Sequence, residues 1–347
     1  MKVYLAIFFF FCHVNLFSNP SQLAKESDYV FQPYTEEGYF QGWNYSFLNS
    51  EYQIFITALV SNLGPNSLNN GISLSIESKK TGSFFVTKEF GQKDLTADSN
   101  RYYLKLYNNE FEKVGNNFII KIYTDEVNLF FKYENIFEGV NLSRDKKFIY
   151  KNFFVKADVP FSYSKVTGYI EWKKEIISLT GVGGMEHLLT NYEVYKFSRR
   201  WEMLRSISND GTRFFLGGYH GKEENDFYRR ISIQDKTKKI LLDETVSRSN
   251  FELIKKEPFS GYFLPYREKI FLSEDESCSF TVEYLTNAGR INVLANISQL
   301  LRFFVRLFFA NPYIVNFHVK ITSDCPSIFA QPKEWIGIKS DYLVNPK

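Results

Sequence analysis

The sequence predicts an all-β protein built from two antiparallel β-barrels in tandem, with one helix near the C-terminus. Three observations carry that prediction. Short runs with apolar residues at every second position recur from residue 38 onward, which is the pattern of half-buried antiparallel strands. Clusters rich in Gly, Asn, Asp and Ser separate the runs at the spacing of a meander that closes into a barrel. Aromatic residues make up 18% of the 347 residues, with 36 Phe and 23 Tyr, and these side chains favour strands and bring large apolar surface. The length fits two domains.

The chain opens on a segment that reads as an export signal. Lys2 is a short basic start, and Val3 to Phe17 is mostly apolar. That run is shorter than the roughly 20 residues a spanning helix needs. A cut after Ser18 removes residues 1–18 and delivers the chain to a periplasm, an outer-membrane layer or the exterior. The alternative is an uncleaved anchor. A lipoprotein cut at Cys12 is disfavoured, because Phe11 stands where a small residue is needed.

The first barrel is expected over residues 28–158. In GISLSIES, Ile72, Leu74 and Ile76 alternate with serines, and in YYLKLY, Leu104 and Leu106 flank Lys105. Phe118, Ile120 and Ile122 share one face of the next run, as do Val127, Leu129, Phe131 and Tyr133 after it. The turn clusters are NLGPNSLNNG, DLTADSN and EKVGNN. KADVPFSY (156–163), with Pro160, marks the expected boundary, and the second barrel takes 159–347. Its candidate strands are 166–172, 175–180, 185–190, 198–207, 212–219, 228–234, 238–242, 261–272 and 278–285. NISQLLRFFVRLFFANP (296–312) changes to helical spacing, with Arg302 and Arg306 four apart and Pro312 as a stop. A helix over 296–310 either packs on the barrel or lies on a membrane surface. YIVNFHVKI then returns to period two, with His318 on the polar face.

Composition excludes several functions. A net charge of +3 over this length gives no electrostatic case for nucleic acid. P-loop, dinucleotide-binding, nucleophile-elbow and zinc-protease motifs are absent from the sequence. Four His and three Cys are too scattered for a metal cluster, and no cofactor is expected. Removing the signal leaves Cys278 and Cys325. They either pair in an oxidising compartment, worth about 4 kcal/mol by chain entropy, or remain separate thiols.

Two stretches hold the candidate site residues. In RRWEMLRSISNDGTRFFLGGYHG, Asp210-Gly211 signals a two-residue hairpin turn. That register sets Trp201 opposite His220, Met203 opposite Gly218 and Arg205 opposite Leu216. Glu202 then meets Tyr219, and Leu204 meets Gly217. The glycines leave room over the sheet for a ligand or a backbone. Trp43, Trp201, Met203, Tyr219 and His220 are therefore candidate ligand contacts. For the tryptophans the alternative is core filling, and for His220 it is a loop position.

In GVGGMEHLL (181–189), Glu186 and His187 point to opposite faces if 185–189 is a strand, so only one enters a barrel. A carboxylate buried there would hold its proton, and could act as an acid on an alkene or carbonyl or hold a polar ligand head. The other reading makes Glu186 a rim residue paired with Arg199, Arg200 or Arg205. His187 is likewise either a site residue or structural.

The order GYFQGWNYSF, FSYSKVTGYIEW, GGMEH, RRWEML and a DG hairpin resembles the tandem lipocalin-like superfamily. That superfamily includes carotenoid 1,2-hydratases, AttH-like proteins, survival-factor-1-like proteins and tocopherol cyclase. The resemblance spans roughly residues 35–290. It implies two lipocalin-like (calycin) barrels, an acidic residue at Glu186 followed by His187, and a tryptophan at Trp201. Three functions follow as expectations. The first is an exported binder of a hydrophobic, lipid or isoprenoid-like molecule held in a barrel. The second is a hydratase or cyclase with Glu186 as acid and Trp201 or Tyr219 facing a cation. The third is a structural or surface-interaction protein, with membrane contact through 296–310.

Overall fold

The computed structural model describes residues 23–33, 38–62, 69–78, 80–143, 147–150, 153–192, 194–221, 227–273, 276–292 and 313–344. The expected signal 1–18 and the expected helix 296–310 lie outside the described residues.

A short helix, α1 (Glu26–Tyr29), precedes twelve strands: β1 (Phe40–Leu48), β2 (Tyr52–Ser61), β3 (Asn69–Ser78), β4 (Gly82–Phe90), β5 (Leu95–Asp98), β6 (Tyr103–Leu106), β7 (Asn109–Val114), β8 (Asn117–Tyr123), β9 (Val127–Glu138), β10 (Lys147–Tyr150), β11 (Phe153–Trp172) and β12 (Glu175–Thr190). They form one antiparallel sheet in the order β4-β3-β2-β1-β12-β11-β9-β8-β7-β6-β5, with β10 added on β11. The sheet curls into a nearly closed barrel. Alternation fills its interior: Trp43, Tyr45 and Phe47 of β1 meet Phe131 and Tyr133 of β9, all fully buried. α1 closes one end, because Trp43 Nε1 donates to the Tyr29 carbonyl at 2.7 Å and the Glu26 carboxylate accepts from the Tyr102 amide and pairs with Lys113.

The change of sheet falls after Thr190, beyond the boundary expected at 156–163. β11 runs through Pro160 with two register shifts, between Asp158 and Phe161 and between Phe161 and Ser164. These irregularities absorb the proline's missing donor. β12 also corrects an expectation, since 175–180 and 185–190 are one strand that continues through GVGG. Those glycines are not a turn. A Cβ on Gly183 would lie 2.1 Å from the Ser46 carbonyl oxygen, and one on Gly184 would lie 2.4 Å from Arg205 Nε.

After α2 (Val194–Phe197) come β13 (Arg200–Ile207), β14 (Arg213–His220), β15 (Phe227–Gln234), β16 (Ile240–Thr245), β17 (Arg248–Lys256), β18 (Phe263–Phe271), β19 (Ser279–Asn292), β20 (Tyr313–Asp324) and β21 (Glu334–Leu343). Their order is β16-β15-β14-β13-β21-β20-β19-β18-β17, a half-barrel. β17 has no counterpart among the expected strands, because nearly every residue of RSNFELIKK is exposed or half-exposed and so shows no alternation. Residues of β11 (Val155, Val159) and of β13 and β14 (Trp201, Met203, Phe215) form an apolar layer that joins the two sheets.

The β13–β14 hairpin is shifted by one residue from the expected register. Trp201 pairs with Tyr219, Glu202 with Gly218, Met203 with Gly217 and Leu204 with Leu216. The Gly211 amide donates to the Ser208 carbonyl, and the Ser208 amide donates to the Thr212 carbonyl. Gly211 has φ +86°. A turn followed by a left-handed glycine adds a residue to the loop and moves every pair by one.

Cys278 and Cys325 form a disulfide across the ends of β19 and β20, where Ser279 pairs with Asp324. At a sequence separation of 47, the bond removes about 4 kcal/mol of unfolded-chain entropy. The Cys278→Ser, Cys325→Ser double variant is therefore expected to unfold at distinctly lower urea than the oxidised parent. The reduced parent should match it. Equal midpoints for oxidised and reduced protein would show that the bond does not stabilise the fold.

Candidate functional site

The two sheets meet over an open cleft walled by β1, β11 and β12 on one side and by β13, β14 and β21 on the other. Leu48, Phe55, Val182, Met203, Phe215 and Ile338 supply its apolar lining, and Arg205 and Arg213 supply its charge. The cleft holds ≈ 90 Å³ of water-accessible space. So small a water-accessible space favours a slender ligand.

Arg205 is built into this wall from behind. Its guanidinium pairs with the Glu186 carboxylate, and Nε donates to the Ser162 carbonyl at 3.2 Å. It occupies the space that Gly184 leaves by having no Cβ. Burial pushes its pKa down to about 10, still a full cation at neutral pH. Arg213 stacks over Phe137, 3.5 Å from the ring centroid, and over Tyr163 at 4.2 Å. These ring faces hold the cation while its Nε finds no hydrogen-bond partner among the described residues.

The Glu186/His187 alternation resolves clearly. Glu186 points out of the first barrel, toward the second sheet, and is the ion-pair partner of Arg205, the rim reading of that residue. His187 points in. Gln41 Nε2 lies 2.9 Å from His187 Nε2, and Asp158 Oδ2 lies 3.2 Å from Nδ1. An amide NH₂ can only donate, so Nε2 accepts and the ring proton sits on Nδ1, facing Asp158. Gln41, Trp43, Asp158 and His187 are at most 1% exposed. Burial, above all, raises the Asp158 pKa and lowers that of His187, while each group's attraction for the other works against both shifts. Asp158 Oδ1 finds no hydrogen-bond partner among the described residues. This is a sealed polar core under the α1 end of the barrel.

The other expected contacts separate. Trp43 lies inside the first barrel, 5.7 Å from the His187 ring. Trp201 and Tyr219 pack with tilted rings, centroids 5.0 Å apart, within the layer between the sheets. Met203 reaches the cleft. His220 faces the inside of the second sheet, beside Arg200 and Glu202.

There the structure reveals a buried charge network. Arg229 pairs with Glu202 and, at 2.5 Å, with Glu268. Lys339 lies 2.6 Å from Glu202 and 2.7 Å from Asp341, and Arg200 lies 3.8 Å from Asp341. Tyr284 bridges Lys339 and Asp341. Three cations face three carboxylates. Burial opposes charge on Glu202, yet Arg229 and Lys339 outweigh it and hold its pKa well below the usual range. Among the described residues no group of three His, Cys, Asp or Glu side chains is arranged to hold a metal ion.

No protein-family model and no curated protein sequence matches this chain. Solved structures do match. The chain is similar to a putative AttH from Nitrosomonas europaea, with TM-score 0.61 and 11% identity, covering 93% of this chain and 97% of that one. It is similar to kievitone hydratase from Nectria haematococca, with TM-score 0.56 and 10% identity over 94% and 95%. It is also similar to CghA, with TM-score 0.64 and 8% identity over 94% and 95%; CghA was also solved with Sch210972. At these identities the likeness shows the fold alone, a tandem β-barrel architecture that this chain shares with those structures.

Proposed function

We propose that this is an exported carrier that holds a slender apolar molecule with an acidic head in the cleft between its barrels. The observation that carries the reading is the cleft itself, a mostly apolar slot between two units with two arginines at its wall. That is the usual composition of a small-molecule site. The interior of the first barrel is occupied by its own aromatic side chains, so the site lies between the barrels and not within one. The disulfide fits an oxidising compartment. Glu186 acts here by positioning Arg205, not as an acid.

Native mass spectrometry of protein purified from its source should show a bound acid, identified after lipid extraction. Arg205→Met is expected to weaken a long-chain fatty acid on the order of tenfold or more, the loss of one charge-assisted contact. Glu186→Gln should instead tighten it, because the Arg205 charge loses its internal partner. A protein with no co-purifying ligand, indifferent to a fatty-acid and isoprenoid panel, would remove the carrier reading. Weakened binding by Glu186→Gln would return that carboxylate to the ligand's first contacts.

A further inference from the structure

The far end of the second sheet carries a surface that the ligand cleft does not explain. Leu253 (61% exposed), Ile254 (58%), Phe259 (45%), Phe263 (70%) and Leu285 (52%) all lie on or beside β17, β18 and β19. Ile254 pairs with Pro265 and Lys256 with Phe263, so apolar and basic side chains are neighbours across the strands. Leu253 has φ +51°, a left-handed backbone that a large side chain rarely adopts, and it is held there with its side chain in water. Scattered exposed apolar residues need no explanation, but a cluster marks a contact surface.

Charge indicates what the surface contacts. Lys255 and Lys256 form no ion pair with a carboxylate among the described residues, whereas the nearby Glu257 is neutralised by Arg290 at 3.0 Å and by the amides of Phe259 and Ser260. The exposed carboxylates of the neighbouring strands, Glu252 and Glu283, share Arg267 at 3.6 and 3.4 Å. Asn292 pairs with Tyr313, and Tyr313 touches the Phe259 ring at 5.4 Å. Asn292 and Tyr313, the described residues on either side of 293–312, therefore lie at this same end of the sheet.

We infer that this end docks on an anionic lipid surface, with Leu253, Ile254, Phe259 and Phe263 entering the headgroup layer and Lys255 and Lys256 meeting the lipid phosphates. Apolar side chains ringed by basic ones, with acidic groups cancelled internally, are the composition of an interfacial contact.

The test is sedimentation of the full chain with vesicles of phosphatidylcholine alone or mixed with phosphatidylglycerol. Binding is expected only to the mixed vesicles and should fall as salt rises. Lys255→Glu with Lys256→Glu should lower it by at least about tenfold, near fivefold for each lysine. Ile254→Ser with Phe263→Ser should lower it comparably, with the urea midpoint of either variant unchanged because the replaced side chains are exposed. Failure of the parent to bind mixed vesicles at low salt would overturn the inference. So would variants that bind like the parent, or a lipid-free dimer that Phe263→Ser dissociates.

Discussion

Arg229→Met is expected to destabilise the protein by about 3–5 kcal/mol, the usual cost of leaving a buried charge without its partner. Arg229 is fully buried and serves two carboxylates, Glu202 on β13 and Glu268 on β18. Removing it leaves three carboxylates facing two cations where water does not reach. Its own strand, β15, and β18 lie on opposite flanks of the half-barrel, so the loss also loosens the packing between them. Restoring neutrality should recover part of the loss. In Arg229→Met, Glu268→Gln, two cations again face two carboxylates, and the double variant should be more stable than the single one. Urea unfolding of both single variants and the double variant gives the coupling directly. A double variant no better than Arg229→Met would mean that charge balance is not what the network provides.

How much of this was legible in the sequence differs by residue. Period-two alternation identified the strands whose two faces differ, such as 118–122 and 127–133. It missed 248–256, where both faces meet solvent. The hairpin was located by Asp210-Gly211, but its register depended on whether the glycine sits inside the turn or just after it, which two letters do not distinguish. The alternation of Glu186 and His187 was legible, and which of them points inward was not. That depends on Arg205 arriving from another sheet to fill the space above Gly184.

The buried network has a sequence signal of its own. Glu202 shares a strand face with Leu204, Arg229 with Ile231 and Ile233, Glu268 with Leu264 and Ile270, and Lys339 and Asp341 with Trp335 and Leu343. Charged residues on the apolar face of four strands point to one interior cluster. Arg213 was harder, because its partners Phe137 and Tyr163 come from the other barrel. The lipocalin-like resemblance fixed the architecture and drew attention to Glu186, but a resemblance in motif order does not say which barrel a side chain faces.

The same network makes stability fall as pH drops from neutrality. His220 is held beside Arg200, whose Nη2 donates to Nε2 at 2.8 Å. Burial first, and then the Arg200 charge, lower its pKa to about 3, against the pull of Glu202. The unfolded chain takes up this proton near pH 6.5, and the folded chain does not. Stability from His220 is therefore complete above pH 6.5 and declines toward pH 3. Between pH 6.5 and 4.5, before most unfolded carboxylates titrate, one such histidine removes about 2 kcal/mol. His187, with its pKa also lowered, acts in the same direction. Asp158, with its pKa raised, binds its proton sooner in the folded state and works against His187 at its side, so the slope over this window belongs mainly to His220. Urea midpoints at pH 7, 6 and 5 should fall steadily in the parent and stay nearly level in His220→Gln, whose amide can still accept from Arg200. A His220→Gln variant that keeps the parent's slope would assign the acid sensitivity to the Asp158–His187 pair, and His187→Gln would then be the variant that flattens it.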